Sequence, residues 1–328
     1  MKKTIIILSS ILLFFTGCNN PSNSKSIEGI FTLSSERLLQ KYPITFNAEE
    51  SIPGKGNIIN YQWEFGDGKE SSGSIVSHEY DEPGNYTLCL TVENSEGKSD
   101  RSCQKIEILP SLNMISNIRI GVKEPSGLCM GKDNESLWTV SDQNGKIVEI
   151  STSGEIIQTL AHRGSDLEGI SRNKNDGSLW IAEETLGEIS HLDSVGNMLS
   201  RRTIAGVRDG GGLEGIAYNS INNHILLIKE KDPGLLLEFD ENFNKILQKR
   251  ITFAQDFSAV DIDEKNSELW ILSHQDSKLF RCTMSGEMVD YFIIPLPQIE
   301  GVAYDFENNL LYIVDDSEEK LYTFTFWE

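Results

Sequence analysis

The chain has 328 residues, room for about two domains at roughly 100–200 residues each. Its 29 Lys+Arg against 50 Asp+Glu leave a formal charge of −21, which excludes a nucleic-acid backbone as the expected partner and disfavours electrostatic docking on anionic lipid. With 14 Phe, 9 Tyr and 5 Trp, the composition is that of a packed protein rather than a solvated coil.

Lys2 and Lys3 precede an apolar run at residues 4–15, TIIILSSILLFF. It is too short to span a bilayer as a helix, which takes about 18–20 residues, so residues 1–17 are read as a signal peptide. The run leads into Phe15-Thr16-Gly17-Cys18, which resembles the lipobox of bacterial lipoproteins. That resemblance implies cleavage before Cys18, lipid on its thiol, and a chain anchored to a membrane of the bacterial cell envelope, facing the periplasm or the exterior. Residues 18–26 then comprise the lipidated Cys and a polar flexible tether, NNPSNSKS. No later stretch is long and apolar enough to span a membrane.

Residues 27–109 alternate apolar and polar in short runs, such as Tyr61-Gln62-Trp63-Glu64-Phe65 and Tyr86-Thr87-Leu88-Cys89-Leu90-Thr91-Val92, broken by PGKGN, GDGKESSG, DEPGN and NSEGKS. This spacing predicts an all-β sandwich. The run YQWEFGDG, then HEY, then EPGNYTLCLTVENSEG resembles the PKD domain, an immunoglobulin-like module. The resemblance implies that Trp63 and Phe65 are core residues, that Gly66-Asp67-Gly68 is the turn after their strand, that Tyr80 and Tyr86 are buried aromatics, and that the module is a spacer or weak adhesive unit. Asp67 is either a ligand contact or a turn-former bonded to its own backbone. Cys89 and Cys103 fall on the last two predicted strands; in an oxidising compartment they form a disulfide, or else they remain two buried thiols. Cys129 and Cys282 read as small core residues, and no Cys/His spacing suggests zinc.

Residues 111–328 repeat. The motif recurs as EPSGL at Glu124, DLEGI at Asp166, GLEGI at Gly212, DFSAV at Asp256 and QIEGV at Gln298, with spacings of 42, 46, 44 and 42 residues. That is the period of four-stranded propeller blades. Each repeat runs from the motif strand through an apolar strand such as LWTV or LYIV to a third and a fourth strand. The last repeat ends after its third strand, so residues 114–120, MISNIRI, are expected to supply the fourth and close the ring. The count is five blades, with six as the alternative. The recurrent L-E-G-I and E-G-V-A-Y-D strings resemble the SdiA-regulated propeller family, to which the phytase-like esterase and gluconolactonase groups are related.

Aligned on the motif, one position carries Ser126, Glu168, Glu214, Ser258 and Glu300, and the position two before it carries Glu124, Asp166, Gly212, Asp256 and Gln298. The next residue is Gly127, Gly169, Gly215, Ala259 or Gly301, small enough for the innermost strands to crowd the axis. A second set, Asp142, Glu184, Glu230, His274 and Asp316, follows the apolar strand. Because that strand runs back, both sets are expected at one channel mouth. Gly212 and Gln298 apart, these are the candidate ligand or metal residues. Crowded carboxylates repel unless protonated or neutralised, and Ca²⁺ or another divalent cation is the expected neutraliser. The other reading is a set of turn and cap residues satisfied by backbone N–H groups and water.

No nucleophile elbow, phosphate loop or HExxH motif occurs, so no catalytic residue is assigned. Only Lys229 and Arg208 are candidate cations near the acidic ring, which counts against a phosphate substrate. The expected function is an envelope lipoprotein whose propeller binds a divalent cation, small molecule, glycan or envelope protein at the acidic mouth, with the sandwich as spacer. The alternatives are a metal-dependent hydrolase of phosphoesterase or lactonase type and a passive scaffold.

Overall fold

The computed structural model describes residues 26–327 except Glu36 and Gly210. The signal peptide, Cys18 and all of the tether but Ser26 lie outside the described residues. The chain forms two compact units. Among the described residues, one takes in 26–35, Pro43–Glu79 and Asn85–Glu107; the other takes in Arg37–Tyr42, Tyr80–Gly84 and the residues from Ile108 onward.

The first unit is a pair of antiparallel sheets. Its strands are β1 (Thr32–Leu33), β2 (Ile44–Asn47), β3 (Ile58–Glu64), β4 (Glu70–Ser72), β5 (Ile75–His78), β6 (Gly84–Asn94) and β7 (Ser99–Ile108). The sheet orders are β1-β2-β5 and β4-β3-β6-β7. Phe46, Trp63 and Phe65 are buried between them, with the Phe46 and Phe65 rings 5.3 Å apart. Trp63 donates its indole N–H to the Gly73 carbonyl at 2.9 Å, so the buried ring keeps no orphan donor. Tyr80 is buried, whereas Tyr86, near the start of β6, is only half-buried although it shares the inward alternation of the buried Leu88, Leu90 and Val92. Gly66 and Gly68 turn the chain at φ +85° and +86°, a region that favours glycine. Asp67 between them accepts the Lys69 N–H at 3.0 Å and also meets His78 Nε2 at 2.8 Å. Burial alone would raise the Asp67 pKa, but the Lys69 N–H and His78 outweigh it and hold the carboxyl below its ordinary value. Cys89 on β6 and Cys103 on β7 are joined by a disulfide.

In the second unit β8 (Asn113–Arg119) precedes the repeats. The first sheet contains β9 (Pro125–Met130), β10 (Ser136–Ser141), β11 (Lys146–Ser151) and β12 (Ile156–Arg163). The second contains β13 (Leu167–Arg172), β14 (Leu179–Glu183), β15 (Glu188–Leu192) and β16 (Met198–Thr203). The third contains β17 (Leu213–Asn219), β18 (His224–Lys229), β19 (Leu235–Phe239) and β20 (Lys245–Arg250). The fourth contains β21 (Ala259–Asp263), β22 (Glu268–Ser273), β23 (Lys278–Thr283) and β24 (Met288–Ile293). The fifth contains β25 (Ile299–Asp305), β26 (Leu310–Asp315) and β27 (Lys320–Thr325), and its fourth member is β8.

Each sheet is an antiparallel meander whose first strand contacts the first strand of the next sheet, and β25 returns to β9. The β27–β8 ladder, from Lys320↔Arg119 to Thr325↔Asn113, joins the two ends of the repeat region. Second strands are buried because both their faces are covered, and their centres are mostly apolar: all five residues of β14 are buried. Outermost strands meet solvent, and β16 is exposed along nearly its whole length. The cores lie between neighbouring sheets. One holds Trp180 and Ile189 from the second sheet against Leu227, Leu237 and Phe239 from the third. Each such aliphatic or aromatic side chain contributes roughly 1.5–3 kcal/mol on full burial. Cys129 and Cys282 are buried free thiols in these cores.

Candidate functional site

A backbone bond repeated in four sheets sets the site. The residue after the second strand donates its N–H to the carbonyl two residues before the motif position: Asp142 to Glu124 (3.1 Å), Glu184 to Asp166 (3.0 Å), Glu230 to Gly212 (3.1 Å) and Asp316 to Gln298 (3.0 Å). The two acidic sets are thereby pinned side by side at one end of the strands. In the fourth sheet the Asp256 carboxylate takes over this role, accepting the Gln275 N–H at 3.1 Å and the Ser273 hydroxyl at 2.5 Å.

The three glutamates of the motif sit where the ladder skips a residue. Register shifts fall between Leu167 and Gly169, Leu213 and Gly215, and Ile299 and Gly301, so Glu168, Glu214 and Glu300 are each left without a cross-strand partner. A bulge re-aims the side chain it carries. All three line one cavity of about 180 Å³, together with Glu124, Ser126, Asp142, Glu230, Asp256, Ser258, His274, Gln298 and Asp316. Asp166 and Glu184 do not line it, but they adjoin residues that do. Carboxylate oxygens of Asp142, Asp166 and Glu168 lie within 4.8 Å of one another, as do those of Glu184, Glu214 and Glu230. The structure thus brings together all thirteen candidate residues of the mouth.

Hydrogen bonds answer only part of this charge. Ser126 donates to Glu168 at 2.5 Å, Gln143 to Glu124 at 2.8 Å and the Gly212 N–H to Glu184 at 3.1 Å. Asp166 accepts the Thr185 N–H at 2.9 Å. Gln298 donates to Asp316 Oδ2 at 2.5 Å, while Asp316 Oδ1 is buried with no hydrogen-bond partner among the described residues. His274 Nδ1 lies 3.2 Å from Glu300. Ser258, on the cavity lining, donates to the Ile299 carbonyl at 2.9 Å and so braces the start of β25.

The electrostatics follow from burial and like charge. Burial, reinforced by Asp142, Glu184 and Glu300 and opposed by the Ser126 hydrogen bond, pushes the Glu168 pKa up to about 9. Burial and the neighbouring Asp166, Glu124 and Asp316 push Asp142 up to about 6. Burial likewise raises Glu214 well above its ordinary value and raises Glu300, in the latter case against the pull of His274. The Glu300 hydrogen bond raises His274. Carboxyl groups so placed hold protons or face a cation.

Both cations singled out in the sequence contact backbone carbonyls. Lys229 is buried, and its ammonium donates to the backbone carbonyls of Lys231 and Pro233. Arg208 donates to the Leu186 carbonyl at 2.6 Å. A further cation that approaches is Lys231, paired with Glu230. It lies in the loop after β18, where the repeat alignment gave no reason to look. Gln298 appeared in that alignment, and only its missing charge set it apart from the candidate ligands.

Residues 115–325 match a family model described as SdiA-regulated, and residues 33–108 match a PKD domain model. Among curated proteins, a 65-residue stretch is 37% identical to collagenase ColA of Bacillus cereus, covering 20% of this chain and 7% of that protein. A 54-residue stretch is 41% identical to the microbial collagenase of Vibrio alginolyticus, covering 16% and 7%. The chain therefore spans less than a tenth of these relatives. Of solved structures, a virginiamycin B lyase from Staphylococcus aureus with quinupristin is 14% identical, covers 94% of this chain and 98% of its own, and superposes with a TM-score of 0.42. The PKD1 domain of the Vibrio cholerae metalloprotease PrtV is 30% identical over 26% of this chain and 98% of its own, with a TM-score of 0.23.

Proposed function

The chain belongs to the SdiA-regulated family, and from that premise we propose that its propeller is a cation-binding module of the cell envelope, held at a membrane by lipid on Cys18, with the PKD domain as spacer. One observation carries this reading. Glu168, Glu214 and Glu300 converge on a single cavity whose lining holds no Lys or Arg among the described residues. The partnerless Asp316 Oδ1 supports it. The donors are carboxylate, hydroxyl and amide oxygens with one imidazole, a set that suits a hard divalent cation. Their irregular arrangement favours Ca²⁺ over Mg²⁺, which demands near-octahedral geometry.

The test is thermal unfolding of the full chain in EDTA, followed by titration with Ca²⁺, Mg²⁺ or Mn²⁺. A ligand that binds only the folded state stabilises it by about 2.7 kcal/mol at a hundred times its Kd. The expected result is a saturable rise in melting temperature, largest with Ca²⁺ and lost in Glu168→Gln and Glu214→Gln. No rise with any of the three ions, or a rise that both variants retain, would overturn the assignment.

A further inference from the structure

The gaps between neighbouring propeller sheets are closed at their outer edges in different ways. Between the fourth and fifth sheets, Phe292 on β24, opposite Leu279, packs with Phe326 and Met114 against the buried core. Between the third and fourth, Phe253, Met284 and Tyr291 pack in, while Lys249 on β20 pairs with Glu287. Between the second and third, the register position of Phe292 is taken by Arg202 on β16, opposite Ile189. Only Tyr218 and Phe243 supplement that core among the described residues. A cavity of about 280 Å³ remains there, walled by Ile204, Leu237, Phe239 and Phe243 and flanked by Arg202 and Lys245.

The charge at this cavity is opposite in sign to the net charge of the molecule. In a chain of net charge −21, neither Arg202 nor Lys245 has a carboxylate within ion-pair distance among the described residues. Their neighbours do: Arg201 is held by Glu183 at 3.1 Å and lies 3.8 Å from Glu188. Arg202 instead lies over the Phe243 ring, 4.2 Å from its centre, and Lys245 donates to the Gln248 side-chain carbonyl. A guanidinium fixed on an aromatic face keeps its N–H fork free for a planar anion.

We propose that this cavity binds a small organic anion with an apolar body, the carboxylate facing Arg202 and Lys245 and the ring or short chain resting on Leu237, Phe239 and Phe243. The volume, about 280 Å³, lies just below the range of small-ligand pockets, roughly 300 to 1,000 Å³. It therefore suits a single ring or a short acyl chain rather than a larger molecule.

Calorimetric titration of the full chain with 3-phenylpropionate and with octanoate tests this, beside 3-phenylpropanamide (the apolar body without the charge) and inorganic phosphate (the charge without the body). Saturable binding of at least one carboxylate is expected, at least tenfold tighter than the amide or phosphate. Arg202→Ala should weaken it at least tenfold. Arg202→Phe, which installs the side chain the fourth sheet carries here, should abolish binding without lowering the melting temperature and so separates loss of the site from loss of the fold. Failure of the wild-type chain to bind either carboxylate, equal binding of the amide, or binding that survives Arg202→Phe would each overturn the proposal.

Discussion

Gly169 has no room for a side chain. A Cβ built there falls 2.8 Å from the Ile216 backbone nitrogen and 2.9 Å from the Glu214 carbonyl oxygen, atoms of the next sheet's innermost strand that cannot swing away. Gly169→Ala is therefore expected to cost about 1–3 kcal/mol by overpacking, a fall of about 2–4 °C in melting temperature per kcal/mol for a unit of this size. Thermal or urea unfolding reads it directly, and an alanine variant as stable as the wild type would contradict the close approach. The crowding was legible in the sequence because the aligned column holds only Gly127, Gly169, Gly215, Ala259 and Gly301. The reason Glu168 beside it points into the cavity was not. That depends on a skipped ladder position between Leu167 and Gly169, and no residue type marks such a bulge. Lys229 was legible as a cation near the ring, but the contacts of its ammonium with the carbonyls of the following loop were not.

At the level of strands, the disulfide ties β6 to β7 across 14 residues of sequence. By the chain-entropy account a bridge closing about 15 residues is worth roughly 3 kcal/mol. Replacing Cys89 and Cys103 together by alanine is expected to destabilise the sandwich by about 2–4 kcal/mol. The thermal transition of the sandwich should move down while that of the propeller stays in place, and calorimetry of the full chain separates the two. A shift in the propeller transition, or none in either, would refute that division of stability. Strand order was the most legible level of all. Period-two alternation and turn residues gave the meander of each sheet, and a fifth repeat one strand short predicted the β27–β8 ladder. The filling of the gaps between sheets was not legible, because Phe292 and Arg202 occupy equivalent register positions on outermost strands with opposite consequences.

Over the whole propeller, charge is sorted by strand. The outermost strands β8, β12, β16, β20 and β24 carry Arg119, Arg163, Arg201, Arg202, Lys245, Lys249 and Arg250 against the single carboxylate of Asp290. Basic side chains on edge strands discourage pairing with other chains, while the mouth at the inner strands is lined by acids. The consequence is a pH dependence whose sign can be worked out. Glu168, at about 9, and Asp142, at about 6, keep their protons in the folded protein, mainly through burial, over a range where the unfolded chain, near the ordinary carboxylate values, has lost them. At these carboxyls the unfolded state therefore binds fewer protons, so they make stability fall as pH rises from about 4.5 toward 9, while His162 and His191, whose pKa burial lowers, oppose that fall in the lower part of the range. His274, raised by Glu300, acts in the same sense, since its favourable charge is present at low pH and is lost as pH passes its folded pKa. Asp67, whose pKa is depressed, acts oppositely, but only at more acid pH. In EDTA the melting temperature of the propeller is thus expected to decline from pH 5 to pH 9, and Glu168→Gln with Glu214→Gln should flatten the decline. A cation competes with the same protons, so its stabilising increment should grow over that interval as the proton-only form weakens. An EDTA melting temperature that climbs with pH would mean that the glutamates are already ionised and neutralised by partners within the fold, and the acidic mouth would then be a closed network with no place for a cation.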